Sequence, residues 1–170
     1  MAHEPGPVAA EQLAVERLAA LGIDAEAMAA VSNIFRAATV VRHHMERSVL
    51  ASADLSFTAF TVLWVLWIWG EQEARHVAEE AGISRGTLTG VVTTLERRGL
   101  ASRRAHPDDR RSVLVDVTAE GERLMAELFP VFNEEEAQVS GALDPARKAE
   151  LAESLRTILR TVEALATRET

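Results

Sequence analysis

The chain has 170 residues, 48% of them hydrophobic and 5% aromatic, which is enough apolar material for one sizeable core and a single compact unit. It contains no cysteine, which excludes disulfides, thiolate-bound metals and a cysteine-based redox sensor; the lack of tyrosine beside frequent Ala, Leu, Glu and Arg leans the composition towards helix. A net charge of −8 argues, taken alone, against nucleic acid as a partner.

Met1 to Pro7 is short and polar, without the basic and then apolar pattern of an export signal. Val8 to Leu21 carries Leu13, Val15, Leu18 and Leu21 and stops at Gly22, which predicts an amphipathic arm with a glycine C-cap. From Asp24 to Leu50, apolar residues at Met28, Val31, Phe35, Ala38, Met45 and Val49 recur near a spacing of three and four and predict a long helix with one apolar seam. On it, adjacent His43 and His44 point about 100° apart and only His43 shares a face with Glu46, so neither a metal site nor a cofactor is expected.

Ser56 is placed to N-cap a helix that runs to Trp69, is apolar nearly all round and is therefore buried; Gly70 ends it. Phe57 to Trp69 falls short of the roughly 20 residues that span a bilayer, so no membrane association is expected and the chain reads as cytoplasmic. Phe60, Trp64 and Trp67 lie on one side of this helix. They either pack in the core or line an effector pocket, to which Arg42 and His43 would bring positive charge for an anionic ligand.

The middle of the chain reverses the overall charge. Ile83 to Ser112 holds seven arginines against Glu96, Asp108 and Asp109, a local balance of +4 that is either a nucleic-acid footprint or a solvated arginine face. Glu73 to Ala81 has apolar residues at helical spacing; Gly82, Ile83 and Ser84 follow as a tight turn and N-cap; Arg85 to Arg97 predicts a second helix. Leu88, Val91, Val92 and Leu95 form its buried stripe, and Gly86, Thr89, Gly90, Thr93 and Arg97 the opposite one. Small and hydroxylated residues there let a helix approach base edges, and Arg85 and Thr87 in the first turn reach bases or phosphates. A helical hairpin of purely structural role more often exposes long charged side chains.

After Gly99, Leu100 to His106 and Ser112 to Thr118 flank a Pro107 to Arg111 turn, and the strand-period alternation of Val113, Val115 and Val117 predicts a hairpin with Arg110 and Arg111 at its tip. Guanidinium groups on a protruding loop suit phosphates or a narrow minor groove, with Asp109 as the stabilising neighbour. The alternative is a solvated turn with local ion pairs.

Thr118 is placed to cap a helix from Ala119 in which Pro130 predicts a kink or break. Asp144 and Pro145 open a last helix with Leu151, Leu155, Ile158, Val162 and Leu165 at alternating spacings of four and three. Narrow apolar stripes at both chain ends have little to bury against in one small domain and favour a homodimer, with pairing of the two ends inside one chain as the alternative. The expected organisation is an arm and dimerisation helices over 1–52, a DNA-binding region over 53–118 and further dimerisation helices over 119–170. No nucleophile, base and orienting residue form a catalytic set, so an enzyme is not expected.

Leu55 and Ser56 with Phe60 and Leu63, then Val77-Ala78, Gly82-Ile83-Ser84, Thr87-Leu88-Thr89, Leu95 through Leu100, and Asp109-Arg110-Arg111 through Val117-Thr118 occur in the order found in the MarR family of bacterial regulators, which the chain resembles from about Asp24 to Leu165. The resemblance implies a mostly α, winged helix-turn-helix dimer with a β-hairpin wing and flanking dimerisation helices, binding pseudo-palindromic double-stranded DNA, and in many members a small aromatic, often anionic, effector. The DNA-contacting set it implies is Ser84, Arg85, Thr87, Thr89, Gly90, Thr93, Arg97, Arg103, Arg110 and Arg111. Thr94 departs from the basic residue that relatives often carry, and the arm lacks the Trp, and the Ser56 to Trp69 helix the Asp, of urate-responsive members. The expected function is a sequence-specific transcriptional regulator, a repressor by preference; the alternative is a winged-helix module for protein contacts, an adaptor or antirepressor.

Overall fold

Side chains cap the helix starts that the sequence predicts. Asp24 accepts from the backbone N–H of Ala27, Ser56 from Ala59, Ser84 from Thr87, Thr118 from Gly121 and Asp144 from Arg147, all at 2.9 to 3.2 Å. Each satisfies an N–H that the first helical turn leaves orphaned, a contribution of about 1 kcal/mol per cap. In the computed structural model, which describes residues 7–109 and 111–168, the contacts divide the chain into two units, Met1–His44 and Met45–Thr170.

The first unit holds α1 (Pro7–Leu18), a 3-10 turn (Ala19–Leu21) that Gly22 ends at φ +65°, and most of α2 (Ala25–Ser48). The arm helix is therefore shorter than predicted, its last turn tightening to 3-10 geometry before the left-handed glycine. Asn33 of α2 donates to Glu11 of α1 at 2.6 Å. Of the predicted seam, Val31 and Phe35 are exposed, Phe35 by 69%, whereas Met45 and Val49 at its C-terminal end are buried; Val40, outside the seam, is exposed as well.

The second unit begins with the last turn of α2 and a 3-10 turn (Leu50–Ala53), followed by α3 (Phe57–Trp69), β1 (Gln72–Glu73), α4 (Ala74–Glu80), α5 (Arg85–Arg97), β2 (Ala101–Ala105), β3 (Val113–Val117), α6 (Ala119–Val139) and α7 (Pro145–Arg168). Helix α3 lies at its centre, against α4, α5, α6 and β3. Val62, Leu63 and Leu66 of α3, Val77 of α4, Leu95 of α5 and Met125 of α6 are fully buried, each adding roughly 1.5–3 kcal/mol of transfer free energy. The all-round apolar pattern holds through Leu66 but not to the end, for Ile68 and Trp69 are exposed.

The sheet has the antiparallel order β1-β3-β2, with Arg103 opposite Val115 and Glu73 opposite Leu114. The predicted hairpin is there, and β3 is the central strand of the sheet; the expected one-faced alternation does not hold along it, for Leu114 and Val115 are both buried and Val113, near the tip, is exposed. Strand β1 escapes the sequence reading because two residues carry no periodicity.

Pro130 does not break α6, which runs unbroken from Ala119 to Val139. Met125, Leu128 and Phe132 are buried on both sides of it, and this apolar burial offsets the roughly 3 kcal/mol that an interior proline costs. Helix α7 buries no residue, and Leu151, Leu155, Ile158, Leu159, Val162 and Leu165 remain exposed along it. Among the described residues no helix is long and apolar enough to cross a membrane.

Candidate nucleic-acid interface

Helix α4 ends at Glu80 with Ala81 as its C-cap, and Gly82 reverses the chain at φ +64°, a left-handed conformation that a residue with a side chain rarely adopts. Ile83 then donates its N–H to the carbonyl of Ala78, and Ser84 opens α5 with its hydroxyl 2.8 Å from that of Thr87. Ser84 and Thr87 are thus joined as a capping pair at the head of the helix. Leu88, Val92 and Leu95 fasten the opposite face to the core.

The exposed face of α5 has two unusual features. The hydroxyls of Thr89, Thr93 and Thr94 donate back to the carbonyls of Arg85, Thr89 and Gly90 at 2.8 to 3.1 Å, so that each side chain offers outward a methyl group and oxygen lone pairs. Gly90 sits mid-helix, where glycine costs about 1 kcal/mol relative to alanine, yet a Cβ built there meets nothing within 4 Å; at Gly86 the nearest atom is the Ser84 hydroxyl at 3.8 Å. No packing inside the chain requires either residue. What they provide is a shallow surface that an outside partner can approach closely.

The cationic groups around this face fall into two classes. Arg103 on β2 is paired with Glu96 of α5 at 3.0 Å, and Arg75 with Glu73 at 2.9 Å. Arg104 donates from Nε and Nη2 to both oxygens of Glu71, at 2.8 and 2.6 Å, and these hydrogen bonds push its guanidinium above the ordinary range. By contrast, Arg85 and Arg111 have no acidic partner among the described residues, and Arg97 reaches only the hydroxyl of Thr94, at 3.3 Å. The local excess of +4 is thus partly neutralised inside the fold; what remains outward is concentrated at both ends of α5 and at the wing tip.

At that tip the Asp109 carboxylate accepts the backbone N–H of Arg111 at 2.9 Å, while His106 Nδ1 accepts from the N–H groups of Asp108 and Asp109 at 3.2 Å. Asp109 therefore shapes the turn through the main chain. The expected site residue Arg110 lies outside the described residues. Ser112 donates to Glu73 at 3.0 Å and ties the tip end of the wing to β1. Glu71, Glu73, Glu96 and His106 were not among the expected site residues; for the three glutamates the sequence signal is acids beside a basic island, which does not say which arginine each will meet, and His106 acts through the main chain of the turn.

The expected effector residues belong to different units. Arg42 and His43 belong to the Met1–His44 unit and the aromatic residues to the other. Phe60 stacks on Phe132 with centroids 4.2 Å apart, Trp64 stacks on Phe129 at 4.6 Å, and Trp67 lies 5.8 Å from the same ring, so these side chains join α3 to α6. A cleft of about 350 Å³ lies elsewhere, between α5 and the wing, with Arg75, Arg85, Thr89 and Arg103 around an apolar wall that includes Val92 and Val113.

A model of the MarR family matches residues 55–113 of this chain. YwaE of Bacillus subtilis, described as an uncharacterized HTH-type transcriptional regulator, is 37% identical over 129 residues, which cover 76% of this chain and 72% of YwaE. Among solved structures, BpsR of Bordetella bronchiseptica, studied for regulation of its DNA binding by 6-hydroxynicotinic acid, is similar with a TM-score of 0.67 at 29% identity, covering 75% of this chain and 97% of its own. The MarR family regulator Sco3205 of Streptomyces coelicolor, solved in complex with DNA, shares the fold with a TM-score of 0.74 at 23% identity, over 82% of this chain and 89% of its own.

Proposed function

Because the chain belongs to the MarR family of DNA-binding transcriptional regulators, we propose that it is a homodimeric repressor in which α5 of each protomer reads base edges in a major groove and the wing takes the flanking backbone. The observation that carries this reading is the outward face of α5, where glycines that no internal contact requires stand beside threonines whose hydroxyl protons are engaged by their own helix. Such threonines present acceptors to the exocyclic amines of adenine or cytosine and methyl groups to thymine. The exposed apolar rows of α2 and α7 support a dimer, for a monomer would leave both rows to solvent. Two copies would place their recognition helices about one helical turn, roughly 34 Å, apart on the duplex.

The effector is proposed as a small aromatic carboxylate that weakens DNA binding. Regulation of BpsR by 6-hydroxynicotinic acid supports that chemistry, and the cleft between α5 and the wing combines guanidinium groups with an apolar wall beside the reading face. The test is a binding titration of the full chain on duplexes from its own upstream DNA, with and without a panel of hydroxylated aromatic carboxylates. A selected duplex should bind at least about a thousandfold more tightly than a scrambled one. Equal binding to both duplexes would sink the repressor reading, and a panel without effect would sink the effector alone.

A further inference from the structure

We infer that Arg98 is a positioning residue for operator recognition: its forked guanidinium ties the exit of α5 to the carbonyl end of the 3-10 turn Leu50–Ala53 and so sets the angle at which the helix meets the groove. The inference rests on α5 being the reading helix.

Arg98 follows the last residue of α5, and its Nη1 and Nη2 donate to the carbonyl oxygens of Asp54 and Ala53 at 2.5 and 2.7 Å. Asp54 adopts the left-handed conformation at φ +48° and donates its own N–H to Ala51, while the successive carbonyls of Ala53 and Asp54 accept from the guanidinium. A planar guanidinium matches two neighbouring acceptors, and its charge complements the carbonyl end of a helical turn; an ammonium group does not reproduce the fork. In a basic segment beside DNA, an exposed arginine is ordinarily read as a phosphate ligand, yet each terminal nitrogen of this one already donates to main chain, 44 and 45 residues away in sequence.

The turn that Arg98 holds is itself fixed. Leu50 is fully buried and accepts from Leu55, and Glu46 in the last turn of α2 accepts the N–H of Phe57 at 2.9 Å. On the other side of the same helix end, the Thr118 hydroxyl donates to Gly99 and the Thr118 N–H to Leu100. The exit of α5 is thus gripped from both sides. Over a helix of 13 residues, roughly 20 Å long, a tilt of about 5° at this end moves the Arg85 end by one to two ångströms, more than base-edge hydrogen bonds tolerate.

The experiment uses the full chain, an operator selected from random duplexes and a scrambled duplex of equal composition, titrated across a range of salt. Arg98 is exposed, so truncating it leaves no cavity to unfold the protein. Arg98→Ala should weaken operator binding by about tenfold or more, change scrambled binding by less than about twofold, and leave the salt slope intact. Arg98→Lys, which keeps the charge without the fork, should recover less than half of that loss. Equal weakening of both duplexes with a shallower slope would make Arg98 a phosphate ligand, unchanged affinities beside a lowered Tm would make it structural only, and full rescue by Lys would make charge alone its role; each overturns the inference. Thr89→Leu separates the two claims. If it leaves the operator-to-scrambled ratio unchanged, the reading of α5 fails and the inference with it; if it lowers the ratio while Arg98→Ala does not, the clamp alone fails.

Discussion

Arg103, on the first strand of the wing, is held by Glu96 from the last turn of α5, with Nε 3.0 Å from Oε2. If the wing takes the DNA backbone as proposed, the carboxylate occupies a cation that would otherwise be available to phosphate and adds a negative charge there, so it should oppose DNA binding without regard to sequence. Glu96→Gln is therefore expected to strengthen binding to operator and scrambled duplexes alike, by roughly two- to tenfold at low salt, and to steepen the salt slope by about one unit as Arg103 is released. Weaker binding in the variant would show instead that the pair holds Arg103 in a productive position.

The other wing arginines should separate by partner. Arg104 is gripped by both oxygens of Glu71, whereas Arg111 has no acidic partner among the described residues. Arg111→Ala should flatten the salt slope by about one unit for each phosphate that the side chain neutralises and weaken both duplexes, with the ranking of operators retained. Arg104→Ala should leave the slope nearly unchanged and lower Tm only slightly, since solvent screens an exposed ion pair. Salt titrations of both variants decide the matter, and equal slopes would refute the division.

How far the sequence reaches is clearest in this region. The spacing of Leu88, Val92 and Leu95 and the cap at Ser84 locate α5, because amphipathic period and capping chemistry are local properties. Where arginines go is not local. Arg98 meets Ala53 and Asp54, and Arg104 meets Glu71, across 33 to 45 residues of sequence, so a count of charges marks the basic region but overstates how many free cations it presents. The aromatic residues of α3 illustrate the same limit: Phe60, Trp64 and Trp67 fit either a pocket or a core by pattern, and only the placement of Phe129 and Phe132 makes them a joint between two helices.

Dimerisation is testable through α7, whose large apolar side chains stay exposed along the whole helix. Replacing Leu155 and Val162 by Glu removes apolar area from that row and leaves the core of the second unit intact, so the folded protein should sediment as a monomer with tight operator binding abolished. A double variant that remains dimeric and binds normally would assign α7 another role.

Gly121 illustrates a glycine that packing does require. A Cβ there would overlap the Leu100 carbonyl oxygen and lie 2.7 Å from Val117, at the crossing where α6 begins against the exit of α5. Gly121→Ala has to displace backbone and should destabilise the fold by roughly 1–3 kcal/mol, read as a lower urea midpoint. A midpoint equal to that of the wild type would mean that the crossing is loose enough to yield.

Gly90 poses the opposite case, and its two effects should have opposite signs. Its backbone is helical, its added Cβ meets nothing within 4 Å, and it stands on the outward face between Thr89 and Thr93. Within the isolated protein Gly90→Ala removes the entropic cost of a mid-helix glycine and should raise stability by about 0.5–1 kcal/mol. Against DNA the same methyl group intrudes where the helix approaches base edges, and it should weaken operator binding by about five- to a hundredfold, with a smaller effect on scrambled duplexes that are held through their phosphates. Urea unfolding and operator titration on one preparation measure both quantities. A variant that is more stable and binds its operator as tightly as the wild type would show that this face of α5 does not lie against DNA, and the assignment of the reading helix would have to be abandoned.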